Sequence, residues 1–215
     1  MIVTFSGIDC CGKSTQIDLL SDYLRSCGYR PIRLWIRGGY TPRLCAVKNG
    51  LRALLGKEII PSGDGVSRQA FMRAAFRRRL WLYLACLDLW LECVLHVRWL
   101  RARGFWVLCD RYIEDTEIDF SMYFPDEHVS EWWSWRLLRR FAVNPDRAFF
   151  LDLSFAESSR RSMQKNEPFP ENDGRRQMRA SYYAATRHCQ DWCVLDASRS
   201  IHELHNDVLR QITAR

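Results

Sequence analysis

Gly7-Ile8-Asp9-Cys10-Cys11-Gly12-Lys13-Ser14 is the stretch that decides how the rest of the chain is read. It lies between an apolar run, residues 2–6, and a helical pattern beginning at Ser14. It meets the pattern G-x-x-x-x-G-K-[ST] at every fixed position. A multiply charged phosphate chain needs several backbone N–H groups converging on it, and glycines let the main chain turn tightly enough to supply them. Gly7 and Gly12 provide that turn, and the helix that follows points its positive N-terminal end at the same phosphates. Lys13 adds a mobile ammonium, and the Ser14 hydroxyl is placed to ligate Mg²⁺. A chance match in a glycine turn would need neither a strand before it nor an amphipathic helix after it, and both are present. A donor nucleotide with Mg²⁺ is therefore the expected ligand, cradled by Gly7, Ile8, Asp9, Cys10, Cys11, Gly12, Lys13, Ser14 and Thr15.

The chain has 215 residues, 47% of them apolar and 27% charged, which suits a single globular domain over residues 1–215. No secretion signal is expected, because the loop begins at Gly7 and leaves no room for one. The nine cysteines include an adjacent pair, Cys10 and Cys11, and a C-x-x-x-C at Cys189 and Cys193. The count is odd and no zinc-like spacing occurs, so reduced thiols and a cytoplasmic location are expected. The most membrane-like segment, residues 80–100, is interrupted by Asp88, Glu92, His96 and Arg98. Charges are costly in hydrocarbon, so a long helix buried along one face is predicted rather than a membrane span. The net charge of +7 comes mainly from arginine, which suits a nucleic acid or a phosphate-handling enzyme equally. The densest run, Arg77, Arg78 and Arg79, reads as a solvated helix face.

Taken in order, strands are predicted at residues 2–6, 31–36, 105–109, 148–153 and 193–195. Helices are predicted at 14–26, 43–57, 68–103 (in one or two pieces), 155–161, 175–188 and from 201 onward, with a polar, acidic helix after Tyr112. Residues 61–65 and 163–174 read as loops. The cluster Trp132, Trp133 and Trp135 reads as core or subunit interface. Strands alternating with helices predict a parallel sheet wrapped by helices.

With these pieces in hand the chain resembles the thymidylate kinase family of nucleoside monophosphate kinases. The resemblance rests on FSGIDCCGKSTQ at Phe5, RGGYTP at Arg37, LCDRY at Leu108, NPDRAFFLDL at Asn144 and LDASRSIHEL at Leu195, and it runs nearly end to end. It implies a P-loop NTPase-type α/β three-layer sandwich: a five-stranded parallel sheet, helices on both faces, a lid at about residues 160–176 and an acceptor-binding helical region at about 37–103. It further implies ATP and Mg²⁺ as donor, a nucleoside monophosphate as acceptor and a homodimer, with neither membrane nor nucleic acid among the partners.

Phosphoryl transfer asks little covalent chemistry of a protein and much positioning and charge neutralisation. Lys13 is the first cation, and Arg111 leaves the third strand on the sheet edge that carries the loop. Asp110 would hold the metal together with Ser14. Arg160 and Arg161, with Lys165, flank the expected lid and complete the expected catalytic set of Lys13, Asp110, Arg111, Arg160 and Arg161. By resemblance Asp9 contacts the acceptor sugar and Arg37 holds the acceptor phosphate, although the family's R-E-P-G-G has become R-G-G-Y.

The base pocket departs from the family. Relatives carry an aromatic residue followed four positions later by arginine, and here Tyr83 takes the first position, Leu87 the second, with Asp88 adjacent. An insertion would instead bring Phe76 and Arg79 there. After DRY, small hydroxyl residues and a Tyr-Gln pair are replaced by Glu114, Asp115, Thr116, Glu117 and Asp119. Ionised carboxylates only accept hydrogen bonds, so Asp88 and Asp115 would favour an acceptor presenting donors over the thymine carbonyl. A polar helix face turned to water is the plain alternative. Three functions remain open on these residues: a thymidylate kinase, a kinase of a modified pyrimidine nucleotide, nucleoside or other small molecule, and a nucleotide-binding protein without transfer.

Overall fold

Val3 and Phe5 face one layer of helices and Ile2 the other, because alternate residues of a strand point to opposite sides of the sheet. That strand, β1 (Ile2–Ser6), is wholly buried. The computed structural model describes residues 1–41, 44–46, 49, 74–164, 173–188 and 191–213. β2 (Pro31–Trp35), β3 (Trp106–Asp110), β4 (Arg147–Asp152) and β5 (Cys193–Asp196) complete a five-stranded sheet in the order β2-β3-β1-β4-β5. Every pairing is parallel. Such a sheet needs cover on both faces, which explains why β1 and β3 read as continuous apolar runs.

One cover is formed by α1 (Lys13–Ser26), α6 (Asp173–Thr186) and α7 (Ile201–Thr213), through Ile17, Leu20 and Leu24, through Tyr183, and through Leu204, Val208 and Ile212. The other is formed by α2 (Ala75–Ala102) and α4 (Trp133–Phe141), through Leu82, Leu89, Val97, Trp135 and Leu138. Burying about 1.5–3 kcal/mol of side-chain hydrophobicity per large residue is what holds both layers to the sheet. α3 (Ile113–Tyr123) follows β3, and α5 (Phe155–Gln164) follows β4.

Several expectations need adjustment. Strand β3 includes Asp110 and β4 starts at Arg147, so each lies one residue from its predicted bounds. The helical region is one run, Ala75–Ala102, with a π-helical stretch at Trp90–His96. By length and composition alone this helix could cross a membrane, yet half of its most apolar window is buried, and Asp88 and Glu92 lie inside the protein. Arg77 and Arg79 are exposed, as a solvated face requires, but Arg78 turns inward, and the Nε atoms of Arg78 and Arg79 donate to the buried Glu127 carboxylate at 2.6 and 2.8 Å. The tryptophan cluster divides, with Trp135 in the core and Trp133 69% exposed. The acidic helix α3 is not turned to water, since Asp115, Thr116, Ile118, Asp119, Phe120 and Met122 are buried. Of the helix expected at 43–57, residues 44–46 and 49 are described and are helical; the rest of it, the loop at 61–65, residues 68–73 and the centre of the lid lie outside the described residues.

Candidate active site

The loop between β1 and α1 folds as a cradle because three of its residues take left-handed backbone angles: Gly7 at φ 139°, Cys10 at 60° and Gly12 at 97°. At Gly7 a Cβ would come within 2.7 Å of the Leu151 carbonyl oxygen, so that glycine is required by space as well as by angle. Gly12 meets nothing within 4 Å and is required by its angle alone. Lys13 is the first residue of α1, and its Nζ donates to the Gly7 and Ile8 carbonyls at 2.9 and 2.8 Å. The ammonium is thus folded over the mouth of the cradle, where an anion would draw it outward.

A cleft of about 400 Å³ opens here, lined by Asp9, Gly12, Lys13, Ser14, Thr15 and Cys10 from the loop side, and by Trp35, Arg37, Asp110, Arg111 and Arg161 opposite. It lies at the C-terminal ends of the parallel strands, the usual position for a ligand in such sheets. Arg111 follows β3 directly and holds φ at 71°, a left-handed angle that costs a non-glycine residue about 1–2 kcal/mol. Its Nη2 donates to Asp9 at 2.6 Å, its Nη1 to the Tyr183 hydroxyl at 3.0 Å, and Asp115 stands 3.6 Å away. Strain maintained on a buried cation at a cleft is the kind that functional sites store. Burial opposes charge on Asp9, but Arg111, with Lys13, Arg179 and Arg37 beyond it, outweighs burial and holds the carboxyl at about 2.

Arg37 leaves the end of β2, and its Nε donates to Asp119 at 2.9 Å; the other Asp119 oxygen accepts from Arg179 on α6. Arg161 donates to Glu157 at 2.8 Å and to the Ala197 carbonyl at 3.1 Å while lining the cleft. Arg160 forms two 2.7 Å bonds to the same Glu157. Three arginines, one lysine and two carboxylates therefore line the cleft beside the loop, an arrangement suited to steadying two polyanions at once.

The sequence model of the family described as thymidylate kinase matches residues 67–208. The chain belongs to the thymidylate kinase family. It is 27% identical to a thymidylate kinase of Thermosipho africanus over 97% of this chain and 95% of that protein. It is likewise 27% identical to one of Syntrophus aciditrophicus, over 98% and 93% respectively, and 23% identical to one of Plasmodium falciparum, over 98% and 89%. The family match begins beyond the phosphate loop, which is covered by these long relatives instead.

In this thymidylate kinase family member the residues singled out from sequence fall into two groups. Asp9, Cys10, Gly12, Lys13, Ser14 and Thr15 of the loop share the cleft with Arg37, Asp110, Arg111 and Arg161, whereas Gly7 shapes the loop from behind and Ile8 and Cys11 pack into the core. Tyr83, Asp88, Asp115 and Arg160 are not among the residues lining it. Tyr83 instead stacks on Trp132 with ring centroids 4.5 Å apart. Asp88 takes the Thr41 hydroxyl and the Thr41 N–H, pinning the turn that follows Arg37. Asp115 accepts from Ser6 Oγ at 2.7 Å, from the Tyr112 N–H at 2.9 Å and from the Tyr183 hydroxyl. The carboxylates expected to face an acceptor base are thus occupied by the protein's own donors. In the turn after Arg37, Trp81 packs on Gly39 and lies 5.6 Å from Phe124.

Sequence reasoning missed Arg33, Trp35, Arg179 and Tyr183, and gave Asp119 no ion-pair partner. A charged residue inside an otherwise apolar strand was the available signal for Arg33. The Ser14 hydroxyl and the Asp110 carboxylate both lie within reach of one nitrogen, Arg33 Nη2, at 3.0 and 2.7 Å. Two oxygen ligands gathered round one positive centre suit a hard divalent cation such as Mg²⁺.

Proposed function

We propose that the protein is a thymidylate kinase that moves the γ-phosphoryl group of ATP to thymidylate. An oxygen of the acceptor phosphate forms the new bond to phosphorus, the bond from that phosphorus to the ADP oxygen breaks, and ADP and thymidine diphosphate leave. The observation that carries this reading is the convergence of Lys13, Arg37, Arg111 and Arg161 on one cleft with the loop N–H groups. The name shared by the full-length relatives supplies the acceptor.

The loop and Lys13 would hold the donor phosphates, and Arg37 the acceptor phosphate. Arg111, between them, neutralises charge on the transferring group. Asp9 would meet the acceptor sugar. Ser14 and Asp110 would hold Mg²⁺, which supplies further charge neutralisation when bound. A lid over about 160–176, within one domain of residues 1–215, would bring Arg161 and its neighbours down and exclude water.

A homodimer is part of the same reading. Phe76, Leu80, Leu84, Leu87, Leu91 and Leu95 recur every three or four residues along α2 and are 38–78% exposed, a continuous apolar stripe on a helix whose opposite face packs into the core. A second copy laid along α2 would cover it, in a cytoplasmic enzyme with reduced thiols.

A coupled ATP-consumption assay across nucleoside monophosphates tests the reaction. ADP release that depends on thymidylate is the expected result, and the absence of any acceptor-dependent release overturns it. Sedimentation of the wild type against a Leu87→Asp, Leu91→Asp double variant tests the dimer, which should fall to a monomer.

A further inference from the structure

The guanidinium of Arg33 donates to the Asp110 carboxylate at 2.7 Å and the Ser14 hydroxyl at 3.0 Å through Nη2, and to Asp18 at 3.1 Å through Nη1. Ser14 and Asp110 are the two oxygen ligands that the proposed reaction assigns to its metal. We propose that Arg33 is a resident counter-cation of that position: it holds both oxygens in the nucleotide-free protein, keeps free divalent cations out, and gives way when the metal arrives with nucleotide. The proposal rests on the kinase reading for the metal's purpose, but the cation exchange itself is a property of these four side chains.

The placement of Arg33 explains why it can serve in this way. It sits on β2, the edge strand of the sheet, in register with Leu108 of β3, while Ile36 beyond the strand is buried against the α2 layer. Alternation along the strand turns Arg33 and Trp35 to the other side, and Trp35 lines the cleft. The Arg33 side chain is 39% exposed and that of Asp110 only 10%. Arginine therefore stands at the rim with a carboxylate beneath it that would be costly to leave unpaired. Asp18, 66% exposed, lies outside the metal pair and offers the guanidinium an anchor when it swings away.

The consequence is an order of loading. A divalent cation alone must displace a charge-assisted pair in exchange for one hydroxyl and one carboxylate, whereas a nucleotide-bound cation brings its own phosphate ligands. Metal should enter this site as the nucleotide complex.

Mn²⁺ titration of the nucleotide-free protein, followed by the electron paramagnetic resonance of the free aqueous ion, tests this. Wild type and Arg33→Lys, which keeps the charge, should bind Mn²⁺ weakly. Arg33→Met should bind it roughly tenfold tighter, as expected when a carboxylate and a hydroxyl are released to a hard cation, and adding Asp110→Asn should return it to the wild-type level. Arg33→Gln provides the same comparison should the Met variant fail to fold. Mn²⁺ binding by both neutral variants no tighter than by wild type overturns the proposal. Calorimetry of the same proteins with magnesium-loaded ATP judges the kinase reading separately: no heat in wild type sinks that reading, while the Mn²⁺ comparison still decides Arg33.

Discussion

The Arg111 guanidinium donates to the Asp9 carboxylate at 2.6 Å, joining the end of β3 to the phosphate loop across 102 residues of sequence. Both groups line the cleft, so the pair holds a strained cation there, at the position the proposed reaction gives to the charge-neutralising arginine. Replacing Arg111 with alanine should lower kcat by about 10³-fold or more, the scale on which a charge-stabilising arginine acts in phosphoryl transfer. Calorimetric binding of magnesium-loaded ATP should change far less, because Lys13 and the loop remain.

The same pair predicts an acid limit. The carboxyl of Asp9 lies at about 2 when folded, against 3.8 ordinarily, so the native state holds its proton less tightly than the unfolded chain. The stability this contributes is complete above the ordinary value and is lost as pH falls through about 2. A third of the Asp9 side chain is exposed, and solvent screening keeps the effect on the order of 1 kcal/mol. Urea unfolding of wild type and Asp9→Asn should differ by a constant amount between pH 6 and pH 5, and the two should converge toward pH 2.

Asp119 holds Arg37 and Arg179 together, and the Arg179 side chain is only 3% exposed. Substituting Asp119 with alanine leaves a buried guanidinium without that partner and should cost about 3 kcal/mol of stability. In the protein that remains folded, KM for the acceptor should rise more than KM for ATP, because Arg37 loses its tether while Lys13 does not. Equal changes in both would contradict this.

The two loop glycines should differ. Gly7→Ala places a methyl group 2.7 Å from the Leu151 carbonyl in a backbone conformation alanine disfavours, so both β4 and the loop must shift. Gly12→Ala meets no atom and bears only the conformational cost of about 1–2 kcal/mol. Thermal unfolding should show the larger loss for Gly7→Ala, which should also abolish ATP binding.

Asp88 is a buried carboxylate whose proton affinity is raised by desolvation, an effect that the Thr41 hydroxyl and N–H partly offset. Its folded pKa lies above the unfolded one, so its contribution is present below the unfolded value and is lost as pH rises through the folded value. Thr41→Val removes one donor and should enlarge that loss. The variant should be less stable than wild type by about 1–3 kcal/mol at neutral pH and above, with the gap narrowing as the pH is lowered in denaturant titrations.

Features that depend on neighbours in sequence were legible without coordinates. The strand-loop-helix at Gly7–Ser14, the alternation of strands and helices, and the DRY turn each follow from spacing within about ten residues, and the sheet formed as those patterns require. Bounds moved by a residue at β3 and β4 because the last hydrogen bonds of a parallel ladder depend on the partner strand.

The sequence by itself determined that this chain builds a phosphate cradle on a parallel sheet, because glycine angles, helix direction and apolar period are local properties. Only the tertiary structure decided how the charges pair: Asp115 with Ser6 and Tyr183, Asp119 with Arg37 and Arg179, Arg33 with Ser14 and Asp110. Most of these partners lie 60–109 residues apart and carry no common period, so their meeting is set by how β2, β3, α3 and α6 pack rather than by any pattern along the chain.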